Sequence, residues 1–369
     1  MLKGIRIIDL SQYLPGPNAT LRLADLGAEI IKIESPKGDP ARFPPEKDGG
    51  EKYLFRAQNR DKKSVTLDLK ELADQRIAMD LIKQADVVIE SFRPGVTKRL
   101  GISYEDVLKE KSDIVYCSLS GYGQEGVMNH LGSHDINYMA LSGVLSQLKD
   151  DDEKPIHPST TIADLFGGIA ASESIVAALL KKERTGKGTY LDIALADVMV
   201  TLMTNHILIE SATGRQKGLE KIYKELVCYS LYETKDGRFV SFGGLEPKFW
   251  KNFCLAVNKE EWLPEHYSNS EDTNPVYIEM KKLFKSRTLE EWTTFSLEVD
   301  CCMAPVLETS EVANHPYYKG RNMIQEKWGH RYVATRFTEG GSLLTNAALP
   351  PKHGEHTESE LSKLAQALK

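Results

Sequence analysis

The sequence predicts an α/β protein: an open, doubly wound parallel sheet joined to a smaller α+β domain. Three observations carry that reading. Residues 1–35 run strand, Gly/Pro-rich turn, helix, strand; short apolar strands then recur through the first half; and the composition changes beyond a polar stretch ending at Lys224. Strands alternating with helices form βαβ units, which only a parallel sheet accommodates.

In order, residues 5–10 read as a strand, Leu14-Pro15-Gly16-Pro17 as the turn, residues 19–26 as the helix and 28–34 as the second strand. Further strands are expected at 65–69, 86–90 and 113–119, with a helix over 70–84. In such a sheet, function belongs to the loops that follow the strand C-terminal ends. After a helix-like stretch over 139–148, apolar residues at Leu165, Ile169, Ile175, Val176, Leu179 and Leu180 keep helical spacing, and Thr185-Gly186-Lys187-Gly188 ends that helix. Residues 190–193 read as a strand, followed by a mostly helical connector to about Ser211 and the polar stretch 214–224. Tyr229-Ser230-Leu231-Tyr232, the turn Lys235-Asp236-Gly237 and Phe239-Val240-Ser241-Phe242 make a hairpin, and Trp- and Lys-rich helical segments continue to about Val299. A last strand is expected at 305–307.

At 369 residues, two or three domains of roughly 150 residues fit the length. Apolar runs such as Val87-Val88-Ile89 fall short of the ~20 residues of a bilayer span, and the N-terminus lacks a signal-peptide core; neither membrane insertion nor secretion is expected. The five cysteines (Cys117, Cys228, Cys254, Cys301, Cys302) are odd in number and lack a C-x-x-C pair, which argues against a disulfide framework or a zinc site and for a reducing cytoplasm. A net charge of −6 with scattered Lys and Arg gives no nucleic-acid footprint, although local arginines can hold a small polyanion.

Gly121-Tyr122-Gly123-Gln124-Glu125-Gly126 matches G-x-G-x-x-G after a strand. It comes four strands in and opens no helix, so a Gly-rich active-site loop whose N–H groups approach a ligand is preferred over a dinucleotide site. His134 lies in Gly132-Ser133-His134-Asp135-Ile136-Asn137-Tyr138. Asp164 reads as the N-cap of the helix that follows, where the positive helix end would depress its pKa and keep it ionised. Gly167-Gly168 would then let a ligand come close. Glu246 follows the hairpin, and Arg60 and Arg93 stand near strand ends, where guanidinium groups suit phosphate.

Together these segments resemble the family III CoA-transferases and, within that superfamily, the α-methylacyl-CoA racemases. The resemblance spans nearly the whole chain. It rests on residues 2–11 with Pro15-Gly16-Pro17, on residues 26–34, Asn59-Arg60, Glu90-Ser91-Phe92-Arg93-Pro94-Gly95, Ser120-Gly121-Tyr122-Gly123-Gln124, Glu183-Arg184-Thr185-Gly186-Lys187-Gly188 and Gly354-Glu355-His356-Thr357. Racemases carry a Gly-His-Asp-Ile-Asn-Tyr motif and an aspartate about thirty residues later; here Ser133 replaces the glycine before His134, and Asp164 stands at that separation. Transferases share the aspartate as a nucleophile but typically lack the histidine, and Gly243-Gly244-Leu245-Glu246-Pro247 resembles the racemase Glu-Pro motif more than a transferase glycine run. The racemase reading is preferred and the transferase reading stays open.

The resemblance implies His134 and Asp164 as the two acid/base groups and Glu246 as the partner that orients the imidazole; the physics that holds anions at helix N-termini suggests the backbone N–H groups after Asp164 as enolate donors. It implies that CoA's phosphates meet Arg60 and Arg93, with Lys37, Arg42 and Lys98 as weaker additions. The expected fold is a large Rossmann-like domain from residues 1–200 and 306–369, a linker over 201–224 and a small α+β domain over 225–305. Two protomers would interlink like rings, with Glu246 serving the other chain's His134 and Asp164. No cofactor or metal is expected beyond the coenzyme A of the thioester substrate, nor any nucleic-acid or membrane partner.

Overall fold

The computed structural model describes residues 1–43, 53–150, 152–216, 219, 225–335 and 347–367. Part of the 201–224 segment therefore lies outside the described residues. The chain divides into two compact units, residues 1–203 with 316–369, and residues 204–315.

In the first unit six strands form one parallel sheet: β1 (Arg6–Leu10), β2 (Glu29–Glu34), β3 (Lys62–Thr66), β4 (Val87–Glu90), β5 (Val115–Ser120) and β6 (Thr189–Ala194). Their spatial order is β3-β2-β1-β4-β5-β6, and every pairing is parallel. The connections are α1 (Pro15–Ala24), α2 (Tyr53–Gln58), α3 (Leu72–Lys83), α4 (Val96–Arg99), α5 (Tyr104–Glu110), α6 (Asp135–Leu141) and α7 (Ile162–Thr185), with α8 (Leu195–Thr201) after β6. Side chains alternate between the sheet's faces, and both faces are buried, as crossover helices require. Ile7, Ile30, Val87, Val115 and Cys117 pack towards α1 and α7 in one core. Ile8, Ile31, Val88 and Tyr116 pack towards α3 in the other.

The third strand begins three residues earlier than the sequence suggests. Its first residue, Lys62, is a buried cation that reaches Asp9 on β1 at 3.2 Å, whereas a lysine pair in sequence reads as solvated surface. The return of the chain covers the edge strand β3: Ser64 O accepts the N–H of His356 at 2.8 Å, and Thr66 N–H donates to Thr357 Oγ1 at 3.0 Å. An exposed strand edge is a template for unwanted pairing, and this segment occupies it.

The 24-residue helix α7 is long and apolar enough, by length and composition, to cross a bilayer, which inspection of apolar runs missed. Its Ala163, Gly167, Gly168, Ala171, Ile175 and Ala178 are nevertheless buried, and its main packing partner is α1. The small residues let the two helices approach closely. A Cβ on Gly168 would stand 2.7 Å from the Pro15 carbonyl oxygen, and one on Gly167 would stand 2.0 Å from a Leu195 methyl.

The second unit has the antiparallel sheet β7 (Tyr229–Glu233), β8 (Phe239–Gly243) and β9 (Met303–Pro305), with β8 in the middle. Its helices are α9 (Thr204–Thr213), α10 (Pro247–Ala256), α11 (Pro275–Phe284) and α12 (Leu289–Glu298). The core is aromatic: Phe242, Trp250, Phe253, Phe284 and Trp292 are buried. Both indoles satisfy their N–H, Trp250 on Trp262 O at 3.2 Å and Trp292 on Phe284 O at 2.8 Å.

Candidate active site

The strand order reverses between β1 and β4, so the loops leaving these neighbours diverge and open a crevice at their C-terminal ends. A cavity of about 380 Å³ lies there, lined by Gln12 to Pro15 after β1, Ser91 to Pro94 after β4, Leu119 to Tyr122 at the end of β5, and His134, Tyr138 and Asp164. The first two loops are stitched together, because Gln12 N–H donates to Ser91 Oγ at 3.1 Å.

Buried charges hold the loop after β1. Ser11 N–H donates to Asp9 Oδ1 at 2.9 Å, Lys32 Nζ donates to the Ser11 carbonyl at 2.6 Å, and Tyr13 N–H donates to Asp39 Oδ1 at 3.2 Å. Tyr13 has a φ of 63°, a conformation rare for a bulky residue, so these anchors determine how it enters the cavity wall. Burial alone would raise the Asp9 pKa, but Lys62, Lys32 and the hydroxyls of Ser11 and Thr20 hold it well below the usual range. Burial pushes the Lys62 ammonium down to about 8.

His134 sits at the N-cap of α6, with its N–H donating to Asn137 Oδ1 at 2.9 Å, and its side chain is exposed on the cavity wall. The helix starts directly after it, four residues earlier than the apolar pattern suggests. One turn on, the buried Tyr138 receives a hydrogen bond from the Ser133 hydroxyl at 2.9 Å and donates to the Ser133 carbonyl at 3.2 Å. It occupies the space that a Cβ on Gly121 would need, 2.5 Å from its hydroxyl.

Asp164 lies within the first turn of α7, and Thr161 is the N-cap, so the expectation that Asp164 caps the helix is corrected. Its own N–H donates to Asp135 Oδ1 at 2.9 Å, which ties the starts of α6 and α7 together and puts both acid/base candidates on one cavity. The expected depression of its pKa is reversed: burial, and then the Asp135 charge, push Asp164 up to about 6. The backbone donors expected after it are occupied, beginning with Leu165 N–H on the Thr161 carbonyl at 3.3 Å. Gly167-Gly168 serve helix packing rather than ligand approach. In the Gly121 to Gly126 loop the Gln124 N–H is engaged, donating to the Asp192 carboxylate at 2.9 Å, while Gly121 and Tyr122 stand on the cavity wall.

Of the expected phosphate ligands, only Arg93 lines this cavity. Lys37 is exposed beside a neighbouring hollow that shares Tyr13 and Leu54, and Lys98 is exposed on α4 outside the cavity lining. Arg60 and Arg42 are corrected to structural duty. The Arg60 side chain is buried in a two-pronged pair with Asp25. Arg42 pairs with both Glu34 oxygens at 2.7 Å and lies 3.5 Å over the Phe55 ring. Both guanidinium groups are buried and already neutralised by a carboxylate, which takes them away from a solvent-borne anion. Glu246 belongs to the second unit, where it is exposed at the N-cap of α10. Among the described residues no group of three His, Cys, Asp or Glu could hold a metal ion, and all five cysteines are free thiols.

Sequence reasoning missed Tyr138, Gln12 and Tyr13 on the cavity wall and Asp135 as the tie between the starts of α6 and α7. Asp135 and Tyr138 were visible inside the histidine motif, but Gln12 and Tyr13 carry no signal, because their place depends on buried charges distant in the chain.

The family model for CoA-transferase family III matches residues 2–357. The chain belongs to CoA-transferase family III. It is 32% identical to human α-methylacyl-CoA racemase, over 98% of this chain and 93% of that one. It is 30% identical to acetyl-CoA:oxalate CoA-transferase of Acetobacter aceti, over 88% of this chain and 86% of that one. Among solved structures, a CAIB/BAIF family protein from Brucella suis superposes with a TM-score of 0.85 at 25% identity, covering 98% of this chain and 99% of its own. Family III members at comparable identity thus include a racemase and a transferase by name, and membership alone does not choose between the two reactions.

Proposed function

We propose that this family III protein inverts the α-carbon of a 2-methyl-branched acyl-CoA by 1,1-proton transfer. The observation that carries the reading is that an imidazole and a carboxyl group, His134 and Asp164, line one cavity while the carboxyl is held near 6. A thioester acidifies its α-proton, and inversion needs one group to remove a proton from one face while another delivers a proton to the opposite face. Proton transfer is fastest when donor and acceptor affinities lie near the working pH, which a carboxyl raised to about 6 approaches. The enolate oxygen requires donors, and with the amides of α7 engaged in the helix these come from elsewhere on the wall. Arg93, with Lys37 and Lys98 further out, meets CoA's phosphates. Glu246 of the partner subunit orients His134 within an interlinked homodimer, and the setting is the reducing cytoplasm. No metal is needed for the proton transfers.

The transferase reading keeps one specific support, since Asp164 is equally placed to attack the thioester carbonyl as a nucleophile, and the Acetobacter aceti relative is a transferase by name. Incubating a single-epimer 2-methylacyl-CoA in deuterated water separates the two. The expected result is α-deuterium and both epimers without any acceptor acid, reduced by about 10²-fold or more in His134→Ala. CoA transfer only when a second carboxylate is added, with an Asp164 adduct trapped by hydroxylamine, would replace this reading with the transferase. Mixed dimers of His134→Ala and Glu246→Ala chains should regain activity.

A further inference from the structure

Glu90 ends β4 directly before the turn Ser91-Phe92-Arg93-Pro94-Gly95, and it is 1% exposed. Its register partners are Leu10 on β1 and Ser118 on β5, and Ser118 faces Asp192 on β6, so Glu90, Ser118 and Asp192 lie in one row across the sheet. Glu90 Oε2 accepts the Phe92 N–H at 2.7 Å, and the neighbouring Ser118 hydroxyl favours its charged form. The titratable groups that bear on it are Asp192 and Tyr190 on β6 and Tyr116 and Cys117 on β5; none is a cation. Burial, with Asp192 adding to it, pushes the Glu90 carboxyl up to about 7. A buried acid with no cation beside it and a second carboxylate two strands away is costly wherever it ionises, and an apolar residue would fill this core position without that cost. The carboxyl group's contribution therefore lies in what it holds.

It holds the turn that carries Arg93. Hydrogen bonds fix that turn from three sides: Gln12 N–H to Ser91 Oγ from the neighbouring loop, Phe92 N–H to Glu90 from below, and Val96 N–H to the Arg93 carbonyl at 3.1 Å from α4. The guanidinium lies against the segment leading to His134, where a Cβ on Gly132 would come within 2.8 Å of Arg93 Nη2.

We infer that Glu90 is a positioning residue for substrate binding: its carboxyl group grips the Phe92 N–H and thereby sets where Arg93 stands on the cavity wall. What Arg93 meets rests on the acyl-CoA reading above. A charged acceptor makes a shorter hydrogen bond, about twice as strong as a neutral one, so the ionised form holds the turn best. The sign follows directly. Deprotonation above about pH 7 tightens the turn and lowers KM, and protonation below it raises KM. The proton transfers at His134 and Asp164, which Glu90 does not touch, set kcat.

The test is KM and kcat against pH, for the intact dimer or monomer as purified, in the wild type, Glu90→Gln, Ser118→Ala and a double variant that adds Arg93→Ala. Wild type should show a KM step near pH 7. Glu90→Gln, whose amide oxygen still accepts from Phe92 but does not titrate, should lose the step and keep a KM raised about threefold to tenfold at pH 8, with kcat within about twofold. Ser118→Ala removes a donor to the charged form and should move the step to higher pH. In the Arg93→Ala background, Glu90→Gln should add nothing to KM. A wild-type KM profile in Glu90→Gln, or a loss confined to kcat, would overturn the inference. If Glu90→Gln does not fold, an unmoved step in Ser118→Ala overturns it instead. Should no label enter the acyl group, the racemase reading fails separately, and the same KM comparison on CoA transfer still decides Glu90.

Discussion

Asp164 links local structure to reactivity through a single neighbour. Asp135 accepts its N–H and at the same time loads its carboxyl with a like charge. Because Asp164 stands above the ordinary aspartate range, its basic form is lost as pH falls through about 6, and kcat/KM in the direction that uses it as base should fall tenfold per unit below that point. Asp135→Asn keeps an oxygen for the N–H while removing the charge, so the acid limb of that profile should move to lower pH. A limb that stays in place would assign it to another group. At this scale His134, Asp164 and Arg93 were legible, because their neighbours in sequence form motifs. The sense of the Asp164 shift was not, because a helix start favours the anion while burial opposes it, and only tertiary contacts decide the degree of burial.

Among the elements, the pairing of α1 with α7 positions the site. Glycine inside a helix ordinarily costs about 1 kcal/mol relative to alanine, so Gly168→Ala would stabilise an isolated α7. In the fold its Cβ would meet the Pro15 carbonyl at 2.7 Å, a backbone atom that cannot rotate away. Overpacking of that kind costs about 1–3 kcal/mol, so Gly168→Ala should destabilise the protein in urea titrations and lower kcat by displacing the first turn of α7. A rise in stability would show that the helices separate freely. Strand positions were readable from apolar runs in β1, β2, β4 and β5. The start of β3 was not, since Lys62 and Ser64 enter the core only because Asp9, Glu34 and Asn59 receive them.

For the whole molecule, Arg60 is a fastener. Asp25, at the end of α1, takes two guanidinium bonds from Arg60 and the hydroxyl of Thr335 at 2.6 Å, joining the N-terminal half of the sheet to the returning chain. Removing one member of a buried pair leaves the other charge uncompensated, at about 3–5 kcal/mol. Arg60→Ala should therefore lower the denaturation midpoint by a corresponding amount, while the folded fraction keeps its KM for acyl-CoA. A selective rise in KM without loss of stability would return Arg60 to phosphate binding.

The periodicity of apolar residues determined by itself that a parallel sheet forms, because burying short strands on both faces leaves no other economical arrangement, and the spacing of a few polar residues singled out His134 and Asp164. The roles of Arg42, Arg60 and Glu90 were decided only by the folded chain. A charge acts on what stands within a few ångströms of it, and Asp25, Glu34, Ser118 and Asp192 reach those positions only when distant strands and loops are brought side by side.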